Sequence, residues 1–79
     1  MLTYQFSDSD TPLYEQVYQY VKEDIAKGLL LPGDKLPSKR TFARNNGVST
    51  ITIQNAYDQL ISEGYIYTIP KKGYYVSDM

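Results

Sequence analysis

The sequence predicts an α+β domain: three helices, a small C-terminal β-hairpin and a short strand before the second helix. Three observations carry this. Leu13, Val17, Val21 and Ile25 recur every four residues, the period of one helix face. Two shorter helical patterns, residues 38–45 and 49–62, are separated by Asn46-Gly47-Val48. Two runs rich in aromatic and β-branched residues, 65–69 and 74–76, flank Pro70-Lys71-Lys72-Gly73. Two short helices about a glycine turn, followed by a hairpin, are the parts of a winged helix-turn-helix. The second helix of that motif is shaped to enter the major groove of DNA.

Taken in order, residues 1–11 read as an N-terminal arm, with no clear period up to Ser9. Asp10-Thr11-Pro12 is a helix start, Thr11 capping and Pro12 at the first helical position. Glu15 then favours the helix dipole, Lys27 lies in the last turn, and Gly28 closes the helix in the left-handed conformation. Leu29, Leu30 and Leu31 are expected to pack on the core. Pro32-Gly33-Asp34 is a turn, and Lys35-Leu36 a strand that Pro37 confines to a sheet edge. Ser38 caps the second helix, which buries Phe42 and Ala43. Asn46-Gly47 ends it, and Val48 plugs the turn. Ser49 caps the third helix, whose apolar stripe is Ile53, Ala56, Tyr57 and Leu60, and Gly64 ends it. Residues 12–77 are thus expected to form one domain, a fragment of a longer protein.

Size and composition narrow the function. The chain has 79 residues, 42% hydrophobic and 22% charged, which suits one small domain. It has neither cysteine nor histidine, so disulfides, thiolate or imidazole metal sites and histidine acid–base chemistry are excluded. No apolar run nears the roughly 18 residues of a membrane span. The start lacks the basic and apolar regions of a secretory signal, so a cytoplasmic location is expected. No nucleophile stands beside a base, so the chain is not expected to be an enzyme. The net charge is −1, unlike most nucleic-acid binders, but it is unevenly spread. Residues 1–26 carry −4, residues 27–45 carry +4, and residues 46–79 carry −1. A weakly acidic domain binds phosphate if its cations share a face.

The third helix presents Thr50, Ile51, Gln54, Asn55 and Asp58 opposite its apolar stripe. Recognition helices touch bases from their first turns. Thr50 and Thr52 offer hydroxyls there, and Gln54 and Asn55 offer amides that can bond adenine bidentately. Ile51 suits a thymine methyl; alternatively it packs under the wing or against the arm. Ser38, Lys39 and Arg40 begin a helix whose free N–H groups favour an anion, and Arg40 can fork onto a phosphate. The alternative for these cations is pairing with an acid of the first helix. Lys71, Lys72 and Gly73 form a hairpin tip that can follow the DNA backbone or enter the minor groove, though lysine pairs at turns also serve solubility. The nine tyrosines could stack on single strands, but most lie on apolar stripes or strands and read as packing. A competing function is a winged-helix module that docks protein through exposed Tyr and Ile surfaces. Salt separates the two, because only DNA binding weakens steeply with ionic strength.

Several of these segments resemble a known family. They are Pro12-Leu13-Tyr14, the run Pro-Gly-Asp-Lys-Leu-Pro-Ser-Lys-Arg at 32–40, Gly47-Val48-Ser49, Ala56-Tyr57, Glu63-Gly64-Tyr65-Ile66 and Gly73-Tyr74-Tyr75-Val76. Together they look like the N-terminal domain of GntR-type bacterial transcription regulators, over residues 12–77. The run at 55–67 is most similar to the MocR branch, where such a domain precedes an aminotransferase-like domain holding pyridoxal phosphate; the YtrA branch is next. The resemblance implies no cofactor in this chain, no membrane association, and a double-stranded DNA operator as partner. It implies homodimers of the full-length protein on repeated half-sites, and a monomer or weak dimer for the isolated domain. It also implies repressors, with activators in the MocR branch. The family's DNA contacts fall on Arg40, on Ser49, Thr50, Ile51 and Thr52, on Gln54, and on Lys72 and Gly73. The sequence departs from the pattern where many members carry arginine: Thr50 follows the capping serine, and Gln54 replaces a second arginine. Base preference is therefore expected to lean away from guanine at Thr50.

Overall fold

The computed structural model describes residues 11–78; the arm expected at residues 1–11 lies outside them except for Thr11. The chain forms α1 (Leu13–Ala26), β1 (Lys35–Leu36), α2 (Lys39–Asn46), α3 (Thr50–Ser62), β2 (Ile66–Ile69) and β3 (Gly73–Val76). The strands make one antiparallel sheet in the order β1-β3-β2. β1 is an edge strand, the place that Pro37 permits. This is the winged helix-turn-helix that the sequence predicts.

The α1 stripe packs on α3. Val17, Val21, Phe42, Ile53, Ala56, Tyr57 and Leu60 are fully buried, and Leu36, Ile66 and Val76 close the core from the sheet. Val48 is half-buried and packs on this core as expected. Six of the eight described tyrosines are buried or half-buried; Tyr14 and Tyr67 are exposed.

Three expectations are corrected. Pro12, not Thr11, occupies the N-cap of α1, and no side chain caps it. The Pro12 carbonyl accepts from the Glu15 and Gln16 amides, both at 3.1 Å, and the Thr11 carbonyl accepts from the Gln16 side chain at 2.9 Å. Of the three leucines after α1, only Leu30 packs on the core; Leu29 and Leu31 are 69% and 56% exposed. The segment runs between two left-handed glycines, Gly28 and Gly33, and so tight a path turns one side chain inward and its neighbours out. Leu13, counted on the α1 stripe, lies at the first turn of the helix and is 43% exposed, outside the buried cluster that Val17 and Val21 join.

The turn at 31–34 ties α1 to the sheet. The Asp34 amide donates to the Leu31 carbonyl at 2.9 Å, and the Asp34 carboxylate accepts from the Leu31 amide at 2.8 Å. Asp34 and Gly33 then exchange backbone hydrogen bonds with Val76, at 2.9 and 2.8 Å. Below α3, the Tyr18 hydroxyl donates to Glu63, while Lys22 lies against the rings of Tyr18 and Tyr65. The Tyr18 bond, and secondarily that from Gln59, hold the Glu63 carboxyl below the ordinary carboxylate range.

Candidate nucleic-acid interface

Two serines fix the helix-turn-helix. The Ser38 side chain accepts from the Thr41 amide at 3.2 Å and donates to the Thr41 hydroxyl at 3.0 Å. Ser49 repeats the arrangement on Thr52: its oxygen accepts from the amide at 3.1 Å, and the two hydroxyls are bonded at 2.9 Å. Each satisfies an N–H that a helix start would otherwise leave free. Between the helices, Gly47 is left-handed and the Val48 amide bonds back to Ala43 at 3.1 Å. The cap hydroxyls are thus engaged internally. Thr52 offers DNA less than its position suggests, because it is half-buried and bonded to Ser49.

The outward face of α3 follows from the packing of its opposite stripe. Thr50, Ile51, Asn55 and Asp58 are exposed, and Gln54 is half-buried. Ile51 is 64% exposed, so it does not pack under the wing. Its alternative seat against the arm falls outside the described residues.

Tyr57 ties this helix to α2, to β3 and to the segment before α2. Its ring meets Phe42 edge-on at 5.8 Å and Tyr74 of β3 at 4.7 Å. Its hydroxyl donates to the Pro37 carbonyl at 2.8 Å, one residue before the α2 cap. Burial, with Tyr74 nearby, pushes its ionisation far above the ordinary tyrosine range. Sequence reading placed Tyr57 in the core from its spacing; its hydroxyl contact has no local signal.

The wing turns at Ile69-Pro70-Lys71-Lys72, where the Lys72 amide donates to the Ile69 carbonyl at 2.9 Å. Lys71 has a φ of 66°, the one non-glycine residue with positive φ among those described. Gly73 opens β3 rather than belonging to the loop. Lys72, Gly73, Ser38, Thr41 and Lys35 line one open groove of about 480 Å³, as do Leu36 and Tyr74. The wing and the start of α2 are therefore neighbours. Thr50, Ile51 and Asn55 are not in its walls. Arg40 is exposed and Lys39 half-buried, and among the described residues neither has an ion-pair partner, so neither pairs with an acid of α1. The sequence placed Lys35 on a strand and in a basic segment but gave it no contact. Its alternation with inward-facing Leu36 is the signal that would have placed it on the surface.

Such a capped pair of helices, with polar groups on the second and a cationic wing beside the first, defines a DNA-binding winged helix-turn-helix. The family model described as "Bacterial regulatory proteins, gntR family" matches residues 13–76. The chain belongs to the GntR family. It is 46% identical over 66 residues to the HTH-type transcriptional regulator YdeL of Bacillus subtilis, spanning 84% of this chain and 14% of YdeL. Among solved structures, YtrA from Sulfolobus acidocaldarius, a GntR-family transcription factor, superposes with a TM-score of 0.85 at 44% identity, over 91% of this chain and 76% of that one. The DNA-binding domain of AraR in complex with operator ORX1 superposes with a TM-score of 0.83 at 28% identity, over 98% of this chain and 96% of that one. YdeL is named as a transcriptional regulator and YtrA as a transcription factor. Among the described residues no helix is long and apolar enough to cross a membrane.

Proposed function

We propose that this domain reads double-stranded operator DNA for a longer bacterial regulator, with residues 49–62 in the major groove and the wing, residues 65–76, on the backbone or minor groove. One observation carries the assignment of roles: Ile51 stands exposed among Thr50, Gln54 and Asn55 on the first turns of α3, with its cap intact. An apolar side chain there gains burial only against a partner, and a thymine methyl supplies one. Gln54 and Asn55 suit adenine edges, and Thr50 a phosphate or a methyl. Arg40 and Lys39, unpaired in the described structure, together with Ser38, Lys71, Lys72 and Gly73, take the backbone.

The AraR superposition supports the same docking, since that domain is seen on its operator. Paired half-sites about 34–36 Å apart require two copies, so the full-length protein acts as a homodimer while the isolated domain is a monomer or weak dimer. Two forms of the longer protein have support. YdeL, of which the matched span is 14%, leaves room for a large second domain, as in the MocR branch with its pyridoxal phosphate. The 44% identity to Sulfolobus YtrA favours a compact regulator instead. The length of the full gene product decides between them.

Binding titrations test the roles. Arg40→Ala should weaken all duplexes alike. Gln54→Ala should lose about 1–3 kcal/mol of preference at one base pair and little elsewhere. Unchanged affinity in Arg40→Ala at moderate salt, or a uniform loss in Gln54→Ala, would overturn the corresponding role.

A further inference from the structure

The base of the wing holds a cation that no motif singles out. Lys35 lies on edge strand β1, opposite Tyr75, with its backbone neighbour Leu36 turned into the core. Its side chain runs along the sheet to Gly73. A Cβ on residue 73 would lie 3.1 Å from Lys35 Cε and 3.9 Å from its Nζ. A methyl at 73 would press on the end of the lysine side chain, which would have to give by a few tenths of an ångström. Gly73 has a φ of 134°, a conformation that side chains resist, so its backbone and its missing side chain both suit this passage.

Lys35 lines the groove shared by Lys72, Ser38 and Thr41. No acidic residue lines that groove, and none among the described residues pairs with Lys35. Leu30, Pro37 and the ring of Tyr74, all half-buried, give the groove apolar walls. Apolar walls beside two cations match the chemistry of a deoxyribose–phosphate strand: sugar carbons rest against the walls and phosphate oxygens meet the ammonium groups. We propose that Lys35 is a DNA-backbone-binding residue that seats a phosphate between the wing and the start of α2, with Gly73 as the notch that lets its side chain reach there. The proposal deepens the DNA-binding reading above and rests on it.

The test uses the full chain and a short mixed-sequence duplex, with affinity followed by fluorescence anisotropy across a salt series. Each phosphate contact contributes about 0.9 to the slope of log affinity against log salt. Lys35→Gln should lower that slope by about 0.9 and weaken binding about eightfold at about 0.1 M salt, whereas Lys35→Arg keeps the slope. Gly73→Ala should weaken binding more in the wild-type background than in Lys35→Gln, because its methyl acts by displacing the lysine. A steep wild-type slope left unchanged by Lys35→Gln overturns the seat. Equal losses from Gly73→Ala in both backgrounds overturn the notch. A wild-type chain with no steep salt dependence overturns the DNA-binding reading itself, which separates the two failures.

Discussion

Replacing Tyr57 with phenylalanine removes one oxygen and leaves the ring in place. The ring is fully buried, and its contacts with Phe42 and Tyr74 are unchanged by the substitution. What is lost is the 2.8 Å hydrogen bond to the Pro37 carbonyl. A neutral bond of this kind contributes about 1 kcal/mol, and an acceptor stranded away from water costs about 1–3 kcal/mol. Pro37 is half-buried, so water recovers part of that cost and the lower end applies. The expected loss is about 1.5 kcal/mol. For a domain of this size that lowers the melting temperature by about 6–12 °C.

Alkaline pH gives a second readout on the same variant. Burial raises the Tyr57 ionisation in the folded state, so the unfolded chain gives up that proton first. The stabilisation is therefore fully present below the ordinary tyrosine value, about 10, and declines as pH rises beyond it, by about 1.4 kcal/mol per pH unit. Tyr57→Phe lacks this component. Urea denaturation followed by circular dichroism should show the wild-type advantage intact at neutral pH and shrinking above about pH 10. Melting temperatures agreeing within about 2 °C at neutral pH, where about 1.5 kcal/mol is expected, would show that the hydroxyl does not anchor the start of α2.

Two further perturbations separate stability from DNA binding. Lys71→Gly relieves a positive φ that costs an L-residue about 1–2 kcal/mol, offset in part by the added chain entropy of glycine. Thermal melts should show a gain of about 0.5–1 kcal/mol, while DNA affinity at low salt falls with the lost charge. Ser49→Ala should cost about 1 kcal/mol in denaturant titrations, by freeing the Thr52 amide and hydroxyl. Ser49→Asp keeps the cap and the stability but sets a negative charge at the recognition face, so only duplex affinity should drop.

Local chemistry wrote most of the motif into the chain. A cap is decided by residues within one turn of each other, so Ser38, Gly47, Ser49 and Gly64 mark the ends of α2 and α3 without help from the rest of the fold. Residue spacing alone placed Ile53, Ala56, Tyr57 and Leu60 inside and left Thr50, Ile51 and Asn55 outside. The first helix was less legible. Thr11 was expected to cap it, but the N-cap fell to Pro12, whose own carbonyl accepts two amides of the first turn. The Leu29-Leu30-Leu31 run has no period, so composition could not say which member turns inward.

Contacts between residues far apart in sequence carry no such local mark. That Lys35 approaches Gly73, that Ser38 and Lys72 line one groove, and that the Tyr57 hydroxyl holds Pro37 all depend on β1 pairing with β3 and on Tyr57 of α3 reaching Tyr74 and Pro37. The sequence by itself determined the elements, the ends of α2 and α3 and their polar faces, because those arise from backbone bonding within a turn and from the period of burial. The tertiary structure alone decided which cations share a surface, because strand pairing brings them together only after the core has closed.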